Sequence, residues 1–298
     1  MLTRQAPCTT VWALPKPITF TFDIEDHRPS GDAWPARYPE LTRRVLDWMD
    51  AREITATVFV VGELALEHPD LIREVAARGH EIGLHNWQHI QLTVQQPEDF
   101  RAGVRRGKAL LEDVTGTEVI GFRAPTGSLV PQTAWAIDVL LEEGYVYSSS
   151  VCPGRNPINC FPGAPEGPFT YTNGLIEFPA PVTGVGPFKI PYLGGTYIRL
   201  LPWSVHRGIR RLMPSVDGTV LYCHPYDFDT DEPFWWVADV GPLAPLLWVG
   251  RKGLTAKLER LVADGTAPPL REQLALANRP ARFDPYHDGA ARAYHSAA

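Results

Sequence analysis

From Ile18 onward the hydrophobic positions switch repeatedly between a period near two and a period near three and a half. Ile18 to Phe22 alternates β-branched with aromatic residues, predicts a strand, and runs directly into the acidic cluster Asp23, Glu25 and Asp26. Pro39-Glu40 then opens a helix whose apolar positions Leu41, Val45, Leu46 and Met49 recur at helical spacing until Ile54. Thr55 to Val61 is a β-rich, uncharged run of the kind buried on both faces of a sheet. Pro69 to Arg78 is helical by period, stops at Gly79 and hands over to a short strand, His80 to Leu84. The rhythm repeats with a helix from Pro97 to Val114, a strand from Val119 to Phe122, a helix from Pro131 to Glu143 and a strand from Tyr145 to Tyr147.

Strands alternating with helices of this length argue for a parallel sheet covered or closed by its helices. Between Cys152 and Pro202 the chain becomes dense in Pro and Gly and loses its period, which predicts an elaborated loop region at the rim with a short strand at Leu175 to Phe178. The series resumes with a strand at Thr219 to Cys223 and closes with helices near Leu254 to Asp264 and Pro269 to Leu276. The expected organisation is one α/β domain over residues 1–276, followed by a loose tail over 277–298 that lacks an apolar face.

Composition narrows the partners. With 298 residues, 44% apolar and 21% charged, the chain is globular in character. A net charge of −6 without a basic block disfavours a phosphate backbone or an anionic bilayer as partner, so nucleic acid is excluded from the expectation and a small neutral substrate fits better. The opening MLTRQAPCTTVWALPKP lacks the apolar core of a signal peptide, and no stretch approaches the roughly 20 apolar residues that span a bilayer. A cytoplasmic protein without membrane insertion is therefore expected. Cys8, Cys152, Cys160 and Cys223 have neither CxxC spacing nor disulfide-framework density, and reduced thiols are expected. Nothing in the pattern fixes an oligomeric state.

Placing the polar clusters on this skeleton puts Asp23, His85, Arg123 and His224 each at the C-terminal end of a strand. In a parallel barrel those ends share one face, where catalytic groups converge. His85-Asn86-Trp87-Gln88-His89 carries two imidazoles at i and i+4, a spacing that on a helical turn aims both at one point, as a divalent cation requires. Asp23, Glu25 and Asp26 offer the carboxylate, and a remaining coordination position would hold water with its pKa lowered toward about 7. The plain alternatives are a polar turn for the acidic trio, a structural ion pair for Arg123 and a buried histidine for His224. Trp87, Trp203, Trp235, Trp236 and Trp248 read as core or rim packing ahead of sugar platforms, and His27, His68, His80 and His206 show no partner pattern.

Taken in order, Thr21-Phe22-Asp23-Ile24-Glu25-Asp26, His85-Asn86-Trp87-Gln88-His89, Arg123-Ala124-Pro125 and Leu221-Tyr222-Cys223-His224-Pro225 resemble the four motifs of the polysaccharide deacetylases, carbohydrate esterase family four, also called NodB-like. The resemblance spans roughly residues 16 to 276. The segments Leu193 to Pro202 and His224-Pro225-Tyr226-Asp227 are similar to the branch found in exopolysaccharide gene clusters. It implies a distorted (β/α) barrel and hydrolysis of an N-linked acetyl group from an amino sugar or N-acetylated glycan. By this resemblance Asp23 is the general base, Glu25 with His85 and His89 holds the metal, and Arg123 positions Asp23. The backbone N–H of Thr126 helps to stabilise the oxyanion, Tyr197 lines the substrate pocket, and His224 is the general acid. The metal implied is zinc, with cobalt or nickel as alternatives.

The sequence departs from the family pattern at four points, one of them Thr126, which follows Pro125 in place of an aromatic residue and so removes a stacking surface but not the N–H. The acidic residues are spaced D-x-E-D, so Asp26 competes with Glu25 as ligand. Asn86 follows the first metal histidine in place of a hydroxyl residue, and Ser148 stands where relatives carry an aspartate that orients the acid, leaving Asp227 or Asp229 as substitutes. Two competing readings follow: a metal-free hydrolase of cyclic amides or ureides on the same fold, and a catalytically inactive glycan-binding barrel.

Overall fold

The computed structural model describes residues 17–28, 35–155, 159–212, 216–237, 244–277 and 282–286. The first half runs β1 (Ile18–Ile24), α1 (Tyr38–Asp50), β2 (Thr57–Val60), α2 (Gly62–Glu67), α3 (Pro69–Ala77), β3 (Glu81–Leu84), α4 (Pro97–Thr115), β4 (Gly121–Phe122), α5 (Trp135–Glu142) and β5 (Tyr147–Ser148). The second half continues with β6 (Phe169–Tyr171), β7 (Ile176–Glu177), β8 (Val182–Val185), β9 (Phe188–Pro191), α6 (Gly195–Leu200), α7 (Trp203–Leu212), β10 (Val220–Cys223), α8 (Leu254–Val262), β11 (Thr266–Ala267) and β12 (Arg282–Phe283).

The main sheet is ordered β10-β1-β2-β3-β4-β5-β7-β6-β12, with β11 beside β1. Every pairing in it is parallel except β6 with β7. Strand alternation splits the apolar residues into two cores. Ile18, Phe20, Phe22, Ile24, Val58, Val60, Ile82, Leu84, Leu221 and Cys223 face the helices and form the larger one. Phe59, Tyr147, Ile176, Phe178 and Val220 form a smaller cluster with Leu270 and Ala277, on the opposite face of the same strands. Val220 and Ile176 lie far apart along the strand order yet share this second cluster, so the sheet curls around it as a distorted barrel.

The interior face is also polar. Thr19, Thr21 and Asp23 alternate with the apolar residues of β1 and are fully buried or nearly so. Gln273 donates to Thr19 Oγ1 at 2.6 Å, and Thr57 donates to Glu81 at 2.7 Å. Tyr147 donates to Glu81 at 2.9 Å. Thr57 and Glu81 in turn accept the backbone N–H groups of Leu270 and Arg271. The helix at residues 270–277 thereby closes the end of the barrel remote from Asp23.

Several expectations are corrected. β1 extends to Ile24, so Asp23 lies within the strand, because Ile24 still packs on the helical core. The helix expected from Pro131 is broken into a 3-10 turn at Pro131–Thr133 and α5, and the expected C-terminal helix at Pro269 is 3-10 over Leu270–Ala277. The region 152–202 is no mere rim loop. It supplies β6 and β7 to the main sheet, a β8-β9 hairpin and α6, elements of two to six residues that are too short to leave a period. The tail expected from residue 277 onward instead returns as β12, which pairs with β6, while residues 287–298 lie outside the described part.

One packing contact in the second half is a direct handle on stability. Lys257 on α8 donates to the carbonyl oxygens of Ile198 (2.9 Å), Arg199 (2.7 Å) and Leu201 (2.8 Å), which end α6 without helical partners of their own. Lys257→Met keeps the stem but strands those carbonyls, and is expected to cost about 1–3 kcal/mol in urea unfolding; an unchanged midpoint would show that α6 is held by its apolar contacts alone.

Candidate metal centre and its surroundings

Asp23 and Glu25 are two residues apart on β1 and its extension, so they fall on the same side of the strand, while Asp26 falls on the other. Both are buried, with Asp23 at 2% and Glu25 at 6% exposure. Each therefore needs positive charge nearby. Asp23 obtains it from Arg123, whose Nη1 donates to Oδ1 at 2.6 Å and to Thr21 Oγ1 at 2.8 Å. Arg123 is itself held from behind by the Ser149 carbonyl (3.0 Å) and hydroxyl (2.9 Å), and it lies 4.2 Å over the Phe59 ring.

Glu25 Oε2 faces the imidazoles, with His85 Nε2 at 3.0 Å and His89 Nε2 at 2.6 Å. One donor atom from each of Glu25, His85 and His89 lies within 4.8 Å of the others, and among the described residues this is the group that could hold a metal ion. His85 Nδ1 lies 2.9 Å from the Arg123 carbonyl, an acceptor, so the Nδ1 proton is committed there. Nε2 then turns a lone pair toward a carboxylate lone pair, an arrangement that a cation between them satisfies. Burial opposes ionisation of Glu25, yet the imidazoles of His89 and His224 hold its pKa well below the usual range. The donor set thus fits a borderline divalent cation. Asp26 is excluded from the cluster because its carboxylate is taken by Arg28.

The two histidines converge, but not on a helical turn. Residues 85–89 form a bend, with Asn86 in the left-handed region at φ 65°. The Asn86 side chain accepts from Trp87 N–H at 2.8 Å and donates to Ile90 O at 3.1 Å, folding the loop so that His89 returns to Glu25. An asparagine tolerates that backbone better than other L-residues do, which is the local signal that sequence spacing alone does not weigh.

His224 follows β10 and points its Nε2 at the same mouth, 3.9 Å from Asp23 Oδ2 and 3.8 Å from Glu25 Oε1. Its Nδ1 lies 2.9 Å from Asp227 Oδ2, which also accepts the His224 backbone N–H at 2.9 Å. Burial draws the His224 pKa down, but the charge of Glu25, the Asp227 hydrogen bond and the charges of Asp227 and Asp23 raise it to about 9. Asp227, fully buried, is matched by Arg199, whose Nε lies 2.8 Å from Oδ1 in an ion pair outside hydrogen-bond alignment. Arg199 also ties Asp227 to Thr196 Oγ1 and to the carbonyls of Leu246, Leu247 and Val249.

Asp229 is occupied elsewhere, by Arg37 at 2.7 Å. Ser148 does not approach the acid either; its hydroxyl lies 2.7 Å from that of Ser150, beside the buried Glu177 carboxylate that accepts the N–H groups of Ser150 and Val151. An aspartate at 148 would place a second buried carboxylate against Glu177.

Thr126 is exposed in the left-handed region at φ 55°, and Tyr197 is half-buried, with burial and the nearby Cys152 raising its pKa. Trp87 lies under Arg106 (3.7 Å) and Trp203 under Arg260 (5.5 Å), as packing residues. Spacing gives no warning of two further residues. Tyr226 donates to Glu25 Oε1 at 2.9 Å, and His27 bonds Glu232 at 2.9 Å. Their partners lie some two hundred positions away, beyond any local pattern.

Residues 13–147 match the family described as Polysaccharide deacetylase, and residues 149–273 match a family described as Domain of unknown function (DUF3473). The first half of the chain is thus a polysaccharide deacetylase domain, and the second matched family makes up most of the C-terminal half. Over 132 residues it is 29% identical to the peptidoglycan-N-acetylglucosamine deacetylase PgdA of Listeria monocytogenes serotype 1/2a, covering 41% of this chain and 26% of that protein. It is 33% identical over 103 residues to the chitooligosaccharide deacetylase of Sinorhizobium fredii, covering 34% of this chain and 45% of that protein. The match therefore spans less than half the length of either relative. A solved Mycobacterium smegmatis structure described as a polysaccharide deacetylase superposes with a TM-score of 0.58 at 23% identity, over 95% of this chain and 97% of that one, and shares the fold.

The approach of α6 to Asp227 depends on the Gly194-Gly195 pair. A Cβ on Gly195 would overlap the Asp227 carboxylate, and one on Gly194 would overlap the Tyr222 ring. Gly195→Ala is expected to lose about 1–3 kcal/mol in chemical unfolding through this overlap. Gly208→Ala, on α7 where a Cβ meets open space, is expected to be neutral or to gain up to about 1 kcal/mol. Equal midpoints for the two variants would contradict the close approach.

Proposed function

We propose that this chain is a divalent-metal-dependent deacetylase that hydrolyses the N-acetyl group of an amino sugar in an N-acetylated glycan, with zinc as the metal. The observation that carries the reading is the convergence of Glu25, His85 and His89 on one point, flanked by Asp23 on one side and His224 on the other. A divalent cation held by those three residues supplies Lewis acidity to the acyl carbonyl and to the attacking water.

The protein's own groups supply the proton transfers. Arg123 occupies Asp23 Oδ1 and leaves Oδ2, the oxygen nearer His224, to take the proton of the attacking water. Asp227 fixes the proton on His224 Nδ1 and orients Nε2 toward the reacting atoms, so that Nε2 donates its proton to the amide nitrogen as the C–N bond breaks. The products are acetate and the free amine. Without a cation the charges of Glu25, Asp227 and Asp23 favour the protonated form of His224, and a cation held at Glu25 would pull in the other direction. The gaps of 3.9 and 3.8 Å between Nε2 and the two carboxylates are too long for hydrogen bonds and leave the acid facing the mouth. The exposed Thr126 N–H is assigned to the oxyanion and Tyr197 to the pocket wall, as in the family pattern.

Substrate class follows from the relatives' activities, on peptidoglycan and on chitooligosaccharides, and from the absence of a basic face in the sequence. The metal-free amide or ureide reading is disfavoured by the two imidazoles turned onto one carboxylate, an arrangement that chemistry without a cation would not need.

Acetate release from an N-acetylglucosamine oligomer by the zinc-loaded protein tests the reading. Chelation is expected to abolish release and zinc to restore it, and Asp23→Asn and His224→Ala are each expected to lower kcat by about 10²–10⁴-fold. Turnover that survives chelation points to the metal-free alternative. Glycan binding without any acetate release, unchanged in both variants, points to a binding barrel.

A further inference from the structure

A glutamate at position 25 reaches the histidines from the strand face, but its carboxylate turns about one more bond than an aspartate's, and a metal ligand must be held still. Oε2 is directed to His85 and His89, so what fixes the group is the partner of Oε1. That partner is Tyr226, whose hydroxyl donates at 2.9 Å.

Tyr226 is itself held by two rings. His224 stacks on it with centroids 4.7 Å apart and planes within 9°, and His27 packs against it at 4.3 Å. His27 has its own support, since Nε2 lies 2.9 and 3.1 Å from the two Glu232 oxygens. Glu232 accepts from Arg251 Nη1 at 2.8 Å, and Arg251 also donates to the carbonyls of Asp229 (2.9 Å) and Leu247 (2.7 Å). The side chains of His27, Glu232 and Arg251 are at least nine-tenths buried. The proposed mechanism uses none of the four.

We propose that Tyr226, braced by the His27–Glu232–Arg251 chain, is a positioning residue that locks the Glu25 carboxylate in its cation-binding orientation and ties it to the ring plane of His224. The proposal rests on the reading of Glu25, His85 and His89 as a divalent-metal site. It also accounts for the D-x-E spacing: the longer acid reaches from the same strand face as Asp23, and the second half of the chain supplies the group that restrains it.

Competition with a chromophoric chelator gives the zinc Kd of the wild type, of Tyr226→Phe and of His27→Leu. Phenylalanine keeps the stack on His224 and removes only the hydroxyl, so Tyr226→Phe is expected to fold as the wild type and to weaken zinc binding by about 10–100-fold. His27→Leu is expected to weaken it less, because the hydroxyl remains while its brace is lost. A merely structural role would shift the unfolding midpoint of the metal-free protein and leave the zinc Kd unchanged. Wild-type zinc affinity in Tyr226→Phe overturns the proposal alone. A wild-type protein that binds no zinc, cobalt or nickel overturns the metal reading and the proposal with it.

Discussion

Two carboxylates two residues apart on one buried strand face are the constraint around which this protein is arranged. Asp23 and Glu25 are both almost completely withdrawn from water, and neither can keep its charge there unaided. The fold answers with different kinds of positive charge. Asp23 receives a permanent one from Arg123, brought across the barrel interior from the end of β4. Glu25 receives imidazoles that share its charge and leave room for a metal ion. That asymmetry supports the proposed division of roles, in which the carboxylate paired with a guanidinium accepts a proton and the one facing two imidazoles is a ligand.

The site is assembled from both halves of the chain. The segment matched by the polysaccharide deacetylase family carries Asp23, Glu25, His85, His89 and Arg123. The segment of unknown function carries Arg199, His224, Tyr226 and Asp227. Their strands share one sheet, β10 beside β1 and β7 beside β5, so the second half completes the barrel as it delivers His224. The Gly194-Gly195 pair, the Lys257 contact with α6 and the Arg199 contacts with residues 246–249 all serve that delivery.

Much of this was legible in the residues, for identifiable reasons. The strand ends and the helix stops at Gly79, Gly116 and Gly144 were readable because continuous β-rich runs and left-handed glycines are local signals, and each of these glycines has positive φ. His85 and His89 were singled out by their spacing and Glu25 by the family resemblance, although the turn between the histidines was misread as helical because Asn86 takes a left-handed backbone. In the region 152–202 the strand at Leu175 to Phe178 was legible and appears as β7, but the other strands were read as loop because they are too short to establish a period. Of the two candidate partners of His224, only Asp227 lies close enough to form a turn onto it, while Asp229 is committed to Arg37. Tyr226 stood in a recognised segment without an assigned role and His27 carried no signal, since their contacts with Glu25 and Glu232 depend on how remote segments are brought together.

X-ray absorption at the metal edge of the cobalt-loaded protein addresses the central claim without reference to any substrate. The account predicts a coordination shell containing two imidazole nitrogens and carboxylate oxygen, with one imidazole lost in His85→Gln and another in His89→Gln. A shell of oxygen alone, or one that neither substitution alters, would contradict it.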